Sequence, residues 1–200
     1  MSSKNKWIQR TEENPDHSSW YIERFRSMAA AGDDLAGEGR FVDAMAPRGA
    51  RILDAGCGPG RVGAFLADLG HDVVGVDVDP KLIAAAEEDH PGPIWLVGDL
   101  AELDLESHGI TEGFDVIVAA GNVLPFLAES SRREVLARLG RHIRDAGRIV
   151  VGFGAGRDYE FDDFTEDCSA VGLNVEVALE SWDLRPFNAT SEFLVAILAP

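Results

Sequence analysis

The chain has 200 residues, 46% of them hydrophobic, and a formal net charge of −17. Its length fits one globular domain, and its composition excludes a fully disordered chain, a collagen-like protein and a coiled-coil fibre. The negative charge repels phosphate backbones and anionic lipid headgroups, so we expect neither nucleic acid nor a membrane surface as a partner.

A helical pattern occupies the first part of the chain. We predict an N-terminal helical segment over residues 1–46, followed by the main domain over residues 47–200. Tyr21 and Phe25, four residues apart, fall on one helix face. Residues 1 to about 16 are polar and are expected to be mobile.

Aromatic residues of this N-terminal segment are candidates for a lid. Trp20, Tyr21 and Phe25 would cover a ligand bound to the domain, although a role in the core of their own helix explains them equally well. His17 is a candidate general base, with an exposed histidine in a mobile arm as the alternative.

From residue 51 onward, segments typical of strands and helices alternate. Short apolar runs predict strands over residues 51–55, 72–77, 93–97, 114–120 and 147–153. Asp79-Pro80 predicts a helix start, with Asp79 as the N-cap. Ser131 and Glu134 predict a capping box for a later helix that buries Ile143. This alternation is typical of a parallel sheet covered by helices.

The last third of the chain breaks the alternation. Residues 174–182 and 192–198 predict two strands with no helix between them, joined by a long connection around Pro186. A parallel α/β sheet closed by an antiparallel edge strand is the simplest assembly.

A glycine-rich loop, Asp54-Ala55-Gly56-Cys57-Gly58-Pro59-Gly60, follows the first predicted strand. Glycines allow a tight turn and let a ligand approach the main chain, and ligands of open α/β sheets bind at the carboxyl ends of the strands. Residues 58–63 also spell GxGxxG, the signature of dinucleotide binding, so two classes of cofactor compete for this loop.

The charge at the end of the first strand discriminates between the two classes. Asp54 lies four residues before Gly58 and would repel a pyrophosphate by about 3 kcal/mol per charge pair at ~6 Å and an effective dielectric constant of ~20. S-adenosylmethionine has no phosphate and carries a positive sulfonium and a positive ammonium, so an acidic strand end favours it. Asp77, at the end of the second strand, suits the ribose hydroxyls of either cofactor.

Residues from about 40 to 200 resemble the class I S-adenosylmethionine-dependent methyltransferases. The run LDAGCGPG over residues 53–60 is similar to the family's first motif, and Val76-Asp77-Val78-Asp79 resembles the second. Gly98-Asp99-Leu100 resembles the adenine motif, and Phe114-Asp115-Val116-Ile117 the fourth-strand motif. The resemblance implies an α/β, Rossmann-like fold with a seven-stranded, mostly parallel sheet, an antiparallel last strand and helices on both faces. It implies S-adenosylmethionine as cofactor and S-adenosylhomocysteine as product.

The resemblance also implies a cofactor site at the ends of the first four strands. Its predicted members are Asp54, Gly56, Cys57, Gly58, Gly60, Asp77, Val78, Asp99, Leu100, Ala119, Ala120 and Asn122. The three glycines would line the methionine part of the cofactor above Asp54, and Asp77 would bind the ribose. Val78 would pack on the adenine, and Asp99 with Leu100 would hold the adenine edge, unless Asp99 is only a helix cap.

The remaining members of this set are interpreted as follows. The carbonyl of Ala119 or Ala120 would accept a hydrogen bond from the cofactor ammonium. Asn122 would touch the cofactor or the substrate, with turn geometry as an equally good explanation. Cys57 has no base beside it in the sequence and is interpreted as a small apolar packing residue rather than a nucleophile.

These residues predict a methyltransferase that acts on a small molecule. The chain lacks the Asn-Pro-Pro-Tyr type of motif found after the fourth strand in methyltransferases that act on nucleic acid or protein glutamine. Methyl transfer requires in-line positioning rather than a fixed catalytic residue, so none is assigned. Asp158 and Glu160 are candidates for contact with a cationic acceptor. An NAD-type oxidoreductase and a non-catalytic S-adenosylmethionine-binding module are the alternatives.

Cysteine usage and the start of the chain predict the compartment. Cys57 and Cys168 are too few for a disulfide framework, and no cysteine–histidine cluster has metal-ligand spacing, so no metal is expected. The start of the chain is polar, and no apolar run approaches the ~20 residues of a membrane helix. We therefore expect a cytoplasmic protein.

Overall fold

The computed structural model describes residues 4–200, which form eight α-helices and seven β-strands. The helices are α1 (Lys6–Glu13), α2 (His17–Ala30), α3 (Gly37–Met45), α4 (Arg61–Asp68), α5 (Pro80–Asp89), α6 (Val123–Phe126), α7 (Arg132–His142) and α8 (Phe161–Ala170). The strands are β1 (Arg51–Ala55), β2 (Asp72–Asp77), β3 (Ile94–Val97), β4 (Phe114–Ala119), β5 (Ile143–Gly154), β6 (Asn174–Leu179) and β7 (Phe193–Ala199).

The strands form one sheet with the order β3-β2-β1-β4-β5-β7-β6. Strands β1 to β5 pair in parallel, and β7 is antiparallel to both of its neighbours. The prediction of a Rossmann-like, seven-stranded sheet with an antiparallel last strand is confirmed.

The position of the antiparallel strand differs from the prediction. β7 lies inside the sheet, between β5 and β6, rather than at its edge. Five consecutive residues of β7, Leu194–Leu198, are buried, whereas β6 is largely exposed. An apolar strand gains most from an interior position, and a strand with polar side chains is suited to the edge.

Helices cover both faces of the sheet, so apolar side chains are buried on both. Along β1, Leu53 and Ala55 belong to one core cluster and Ile52 to a second, because successive residues of a strand point to opposite faces. Leu136 of α7 joins the first cluster and Leu66 of α4 the second. Both core layers therefore anchor β1, which carries the glycine-rich loop at its carboxyl end.

The helix before β5 begins and ends differently from the prediction. The capping box is wrong: the Ser131 hydroxyl donates to the Ala128 carbonyl at 2.9 Å and does not cap α7. Ile143 belongs to β5, where it pairs with Phe114 of β4. A Cβ at Gly147 would lie 2.9 Å from the Phe114 carbonyl oxygen, so this glycine lets the irregular start of β5 approach β4.

The segment that we expect to be mobile contains helix α1 (Lys6–Glu13). The side chain of Asn5 caps α1 by accepting from the Trp7 backbone N–H at 2.9 Å. The first three residues of the segment lie outside the described part of the chain, and its mobility stays a prediction. His71 is buried just before the start of β2: its Nδ1 accepts from the Ala50 N–H at 3.1 Å, and its Nε2 lies 3.0 Å from Asp43 Oδ1.

Candidate cofactor site

The glycine-rich loop is held against the end of β2. The Gly56 N–H donates to the Val76 carbonyl at 2.8 Å, and the Gly58 N–H donates to Asp77 Oδ2 at 2.9 Å. Gly56 has φ +78°, and a Cβ on it would lie 2.5 Å from a methyl carbon of Val123. Only glycine fits this position, and the loop therefore leaves its main chain open to a ligand.

Asp54, at the end of β1, is a buried carboxylate under this loop. It is 2% exposed, and its Oδ2 accepts from the Gly63 N–H at 2.9 Å. Burial raises the pKa of Asp54 to about 7, against the opposing effects of the Gly63 hydrogen bond and the charge of Arg61. A positively charged ligand above the loop would favour the ionised carboxylate.

Asp77, at the end of β2, has a similar environment. Its two oxygens accept from the N–H groups of Gly58 and Asp79, each at 2.9 Å. Burial raises the pKa of Asp77 to about 6, against the effect of these hydrogen bonds. A carboxylate has about four acceptor positions, so it can still accept from two hydroxyl groups of a ligand.

A cavity of about 540 Å³ opens above these carboxylates, at the carboxyl ends of the strands. Its size is typical of small-molecule sites. Nine of the twelve predicted site residues lie on its wall: Asp54, Gly56, Cys57, Gly58, Asp77, Val78, Leu100, Ala120 and Asn122. The structure thus brings together the strand ends that the sequence predicted to form one site.

The other three predicted residues are not on the cavity wall. Asp99 caps the short turn after β3, since its Oδ1 accepts from the Ala101 N–H at 2.9 Å. Gly60 has φ +85° and leaves room for Trp95, whose ring carbons lie 3.0 Å from the position a Cβ would take. Ala119 is fully buried inside β4.

Asn122 and Cys57, both on the cavity wall, also stabilise the local structure. Asn122 has φ +67°, and its Oδ1 accepts from the Gly154 N–H at 2.8 Å, which ties the loop after β4 to β5. Cys57 is buried against Ile83 and Trp95. Burial raises the pKa of its thiol well above the usual value, so a nucleophilic thiolate is disfavoured.

The helices α1 and α2 form the roof of the cavity. Trp7 Nε1 donates to Asp79 Oδ2 at 2.8 Å, and the Ser18 hydroxyl donates to the same oxygen at 2.5 Å. The ring of Trp7 packs at 5.2 Å from that of Tyr21 and at 5.8 Å from that of Phe126, between ring centres. Sequence reasoning missed Trp7, because its partner Asp79 lies 72 residues away.

The predicted lid residues also face the cavity. Trp20, Tyr21, Phe25 and His17 are all on its wall, and the ring of His17 stacks on that of Trp20 with 5.5 Å between centres. Burial raises the pKa of Tyr21, so its hydroxyl stays protonated near neutral pH. Tyr21 is therefore a hydrogen-bond donor rather than a base.

Asp158 and Glu160 do not line the cavity. The Asp158 carboxylate forms an ion pair with Lys6 of α1, with 3.1 Å between Nζ and Oδ2. The expected contact of these two acids with a cationic acceptor is therefore not supported by their position.

Residues 4–200 contain neither a candidate metal centre nor a candidate membrane-spanning helix. Among these residues, no group of three or more histidine, cysteine, aspartate and glutamate side chains could hold a metal ion. No helix in the same part of the chain has the length and apolar character needed to cross a membrane.

The fold and the cavity are those of a Rossmann-like protein with room for a small-molecule ligand at the carboxyl edge of its sheet. The family described as "Methyltransferase domain" matches residues 52–147. A crystal structure of a TehB-like S-adenosylmethionine-dependent methyltransferase from Corynebacterium glutamicum is 53% identical, with a TM-score of 0.88, covering 93% of this chain and 99% of that chain. This chain belongs to the S-adenosylmethionine-dependent methyltransferase family.

Curated relatives support the same family. A magnesium-protoporphyrin O-methyltransferase from Rhodobacter capsulatus is 36% identical over 103 residues, covering 49% of this chain and 43% of the relative. A demethylmenaquinone methyltransferase from Beutenbergia cavernae is 32% identical over 111 residues, covering 55% of this chain and 43% of the relative. The chain thus spans less than half the length of these two relatives.

These comparisons confirm the predicted resemblance and S-adenosylmethionine as the cofactor. They support the methyltransferase prediction over the NAD-type oxidoreductase. The roles of individual site residues stay predictions.

Proposed function

We propose that the protein transfers a methyl group from S-adenosylmethionine to a small-molecule acceptor and releases S-adenosylhomocysteine. The observation that carries this proposal is the pair of buried carboxylates, Asp54 and Asp77, on the wall of one cavity beside an open glycine loop. A cofactor with positive charge and without phosphate offsets the cost of burying them.

The cavity wall supports an assignment of the donor's parts. The methionine part would lie along Gly56 and Gly58 above Asp54, and its ammonium would donate to the Ala120 carbonyl. The ribose hydroxyls would donate to Asp77. The adenine would lie between Val78 and the turn at Leu100. In this assignment Ala119, Gly60 and Asp99 act indirectly, by shaping β4 and the two loops.

The bound donor supplies a methyl group already activated by a cationic sulfur. The chain would contribute position: the loop and the carboxylates hold the donor, and the cavity aligns the acceptor atom ~3–3.5 Å from the methyl carbon. The roof formed by α1 and α2 excludes water. The acceptor loses its proton to solvent or to a nearby group such as His17, and no fixed base is required.

Calorimetry tests the cofactor directly. We expect S-adenosylmethionine and S-adenosylhomocysteine to bind with micromolar affinity and NAD to show no heat of binding at the same concentration, because a pyrophosphate would meet Asp54. Binding of NAD in place of the adenosyl donor would overturn the proposal. Turnover of the donor with a pool of metabolites separates an enzyme from the non-catalytic binding module, which would bind without turnover.

The domain division is part of this proposal. Residues 1–46, described from residue 4, form the lid, and residues 47–200 form the catalytic domain. The hydrogen bond between Trp7 and Asp79 supports this division, because it fastens α1 to the edge of the cavity where the ribose would lie. The net charge of −17 supports a small-molecule partner over nucleic acid, and a cytoplasmic location is proposed with it.

Loss of the hydrogen bond between Trp7 and Asp79 should loosen the lid. In Trp7→Phe the ring contacts remain but the bond to the Asp79 carboxylate is lost, which costs about 1.5–3 kcal/mol for a charged acceptor, less the gain from solvation of the freed groups. We expect trypsin to cleave at Lys6 and Arg10 about five to ten times faster than in the wild type. Trp20→Phe is the matched control: it changes an exposed ring of the same lid that donates no hydrogen bond within residues 4–200, and it should leave the rate unchanged. Equal cleavage rates in Trp7→Phe and the wild type would refute the role of Trp7 in closing the lid.

A further inference from the structure

Four arginines line the cavity, and three of them have no anionic partner within residues 4–200. The four are Arg10, Arg24, Arg61 and Arg157. Arg61 pairs with Glu38, with 2.7 Å between Nη2 and Oε1. Within residues 4–200 the other three form no ion pair and donate no hydrogen bond, and they contact at most aromatic rings. Carboxylates outnumber basic residues 35 to 18, so an arginine without an acid is unexpected in this chain.

Basic side chains elsewhere in the described chain all have a partner. Only two of them lack an ion pair, and both donate to backbone carbonyls: Lys81 Nζ to Pro15 at 2.9 Å, and Arg132 to Asp158. The three exposed arginines without a protein partner are therefore confined to the rim of the cavity, where they are available to an anionic ligand.

Acids on the same wall are already engaged. Asp34 pairs with Arg40, with 2.7 Å between Oδ2 and Nη2, and Glu38 pairs with Arg61. Asp54 and Asp77 accept backbone N–H groups of the glycine loop and lie beneath the donor. The cavity thus offers cationic groups, and no free acid, to a second ligand beside the donor.

Arg10 and Arg157 border the segment that follows β4. The guanidinium carbon of Arg10 lies 4.8 Å from the centre of the Phe126 ring. Arg157 Nε lies 3.3 Å from the position that a Cβ on Gly154 would take, and the N–H of Gly154 donates to Asn122. Both arginines are therefore next to the loop that carries Asn122, which we expect to touch the cofactor or the acceptor.

An ion pair brings these two arginines to the same rim. Lys6 of α1 pairs with Asp158, the neighbour of Arg157. Arg10 lies one helical turn after Lys6, on the same face of α1. Arg24 is on α2, where it lies near aromatic rings at 5.8 and 6.0 Å, and it remains available for the donor's carboxylate.

We propose that the methyl acceptor is a small organic anion. Arg10 and Arg157 bind its anionic group, and its apolar or aromatic body packs against Phe126 and Trp7, whose ring centres lie 5.8 Å apart. This inference rests on the methyltransferase function proposed above and specifies the substrate class of the same site.

Three matched probes share one dihydroxyphenyl ring and carry an anionic, a neutral or a cationic substituent: 3,4-dihydroxybenzoate, 3,4-dihydroxybenzamide and 3,4-dihydroxybenzylamine. Each is titrated by calorimetry into the full chain saturated with S-adenosylhomocysteine. We expect the carboxylate to bind at least tenfold more tightly than the neutral amide, and the cationic amine to bind most weakly, because guanidinium–carboxylate pairs provide charge-assisted hydrogen bonds. Inorganic phosphate is a further probe, and we expect it to bind more weakly than the carboxylate, since it lacks an aromatic body.

Two arginine variants test the assignment. The double variant Arg10→Gln/Arg157→Gln should reduce the preference for the carboxylate over the amide to less than threefold. Arg185→Gln removes the same type of charge from an exposed ion pair in the connection between β6 and β7 and should retain the full preference. Circular dichroism and the affinity for S-adenosylhomocysteine report whether each variant is folded.

The outcomes separate this inference from the proposed function. If the wild type fails to bind S-adenosylhomocysteine, the proposed function fails first. Three results would overturn the inference of an organic-anion acceptor in a wild type that binds S-adenosylhomocysteine. These are a preference for the amide or the amine, no binding of any of the three aromatic probes, and binding of phosphate as tight as that of the carboxylate. A full preference retained in the folded double variant would also overturn the assignment.

Discussion

Asp77→Asn is expected to weaken binding of S-adenosylmethionine about 100-fold while the protein stays folded. The change removes the negative charge that accepts both ribose hydroxyls, a loss of about 3 kcal/mol for two charge-assisted hydrogen bonds. The N–H groups of Gly58 and Asp79 donate to different oxygens of Asp77, so asparagine keeps the acceptor for one of them, whereas alanine would leave both without a partner. Calorimetry with the donor measures the loss, and circular dichroism reports the fold.

Asp72→Asn is the matched control for this prediction. Asp72 is the first residue of the same strand, β2, and its side chain is 64% exposed at the end remote from the cavity. The control should bind the donor like the wild type. If Asp77→Asn bound as tightly as Asp72→Asn in a folded protein, the ribose would have to lie elsewhere.

Asp54→Asn is expected to stabilise the ligand-free protein at pH 8. Burial raises the pKa of Asp54 to about 7, above the ~3.9 of an unfolded chain. Its contribution to the free energy of unfolding is therefore fully present below pH ~4 and is lost as the pH rises through about 7. Between pH 5 and pH 8 the wild type should lose about 2–3 kcal/mol through this group, and the asparagine variant should not.

Urea unfolding at the two pH values measures the effect as the difference between variant and wild type. That subtraction is needed because Asp77, whose pKa is raised to about 6 by burial, adds a loss of the same sign. Asp115→Asn is the control: burial raises the pKa of Asp115, but hydrogen bonds from the Arg51 N–H and from Arg144 outweigh it and lower the pKa. The contribution of Asp115 is lost only in acid, so this variant should be less stable than the wild type by the same amount at pH 5 and pH 8. If the difference in free energy of unfolding between Asp54→Asn and the wild type were also the same at pH 5 and pH 8, the raised pKa of Asp54 would be contradicted.

Asp54→Asn should also weaken binding of S-adenosylmethionine. Asp54 lies beneath the proposed position of the methionine part, where its charge would stabilise the sulfonium and the ammonium. The site therefore combines a stability cost in the free protein with a gain on binding, as is common for groups that a ligand must neutralise. Donor binding should accordingly lower the pKa of Asp54.

The strand ends that meet at the proposed cofactor half of the cavity could be predicted from the sequence because their signals are local. The spacing of Asp54, the glycines and Asp77 depends on one strand, one turn and the next strand, and β1 and β2 have the predicted bounds. The local chemistry was ambiguous for Asp99, which caps a turn instead of lining the cavity. Hydrogen-bond acceptors at strand ends serve caps and ligands equally well, and the sequence alone cannot separate the two.

The residues that surround the proposed acceptor half of the cavity are brought together only by tertiary contacts. Lys6 and Asp158, 152 residues apart, bring Arg10 and Arg157 to one rim, and nothing in either local sequence indicates this contact. The order of β6 and β7 likewise depends on which strand is more apolar when all seven compete for interior positions. Periodicity and turn residues act over a few neighbours in the chain and therefore determine the elements, whereas long-range packing and ion pairing select which elements meet.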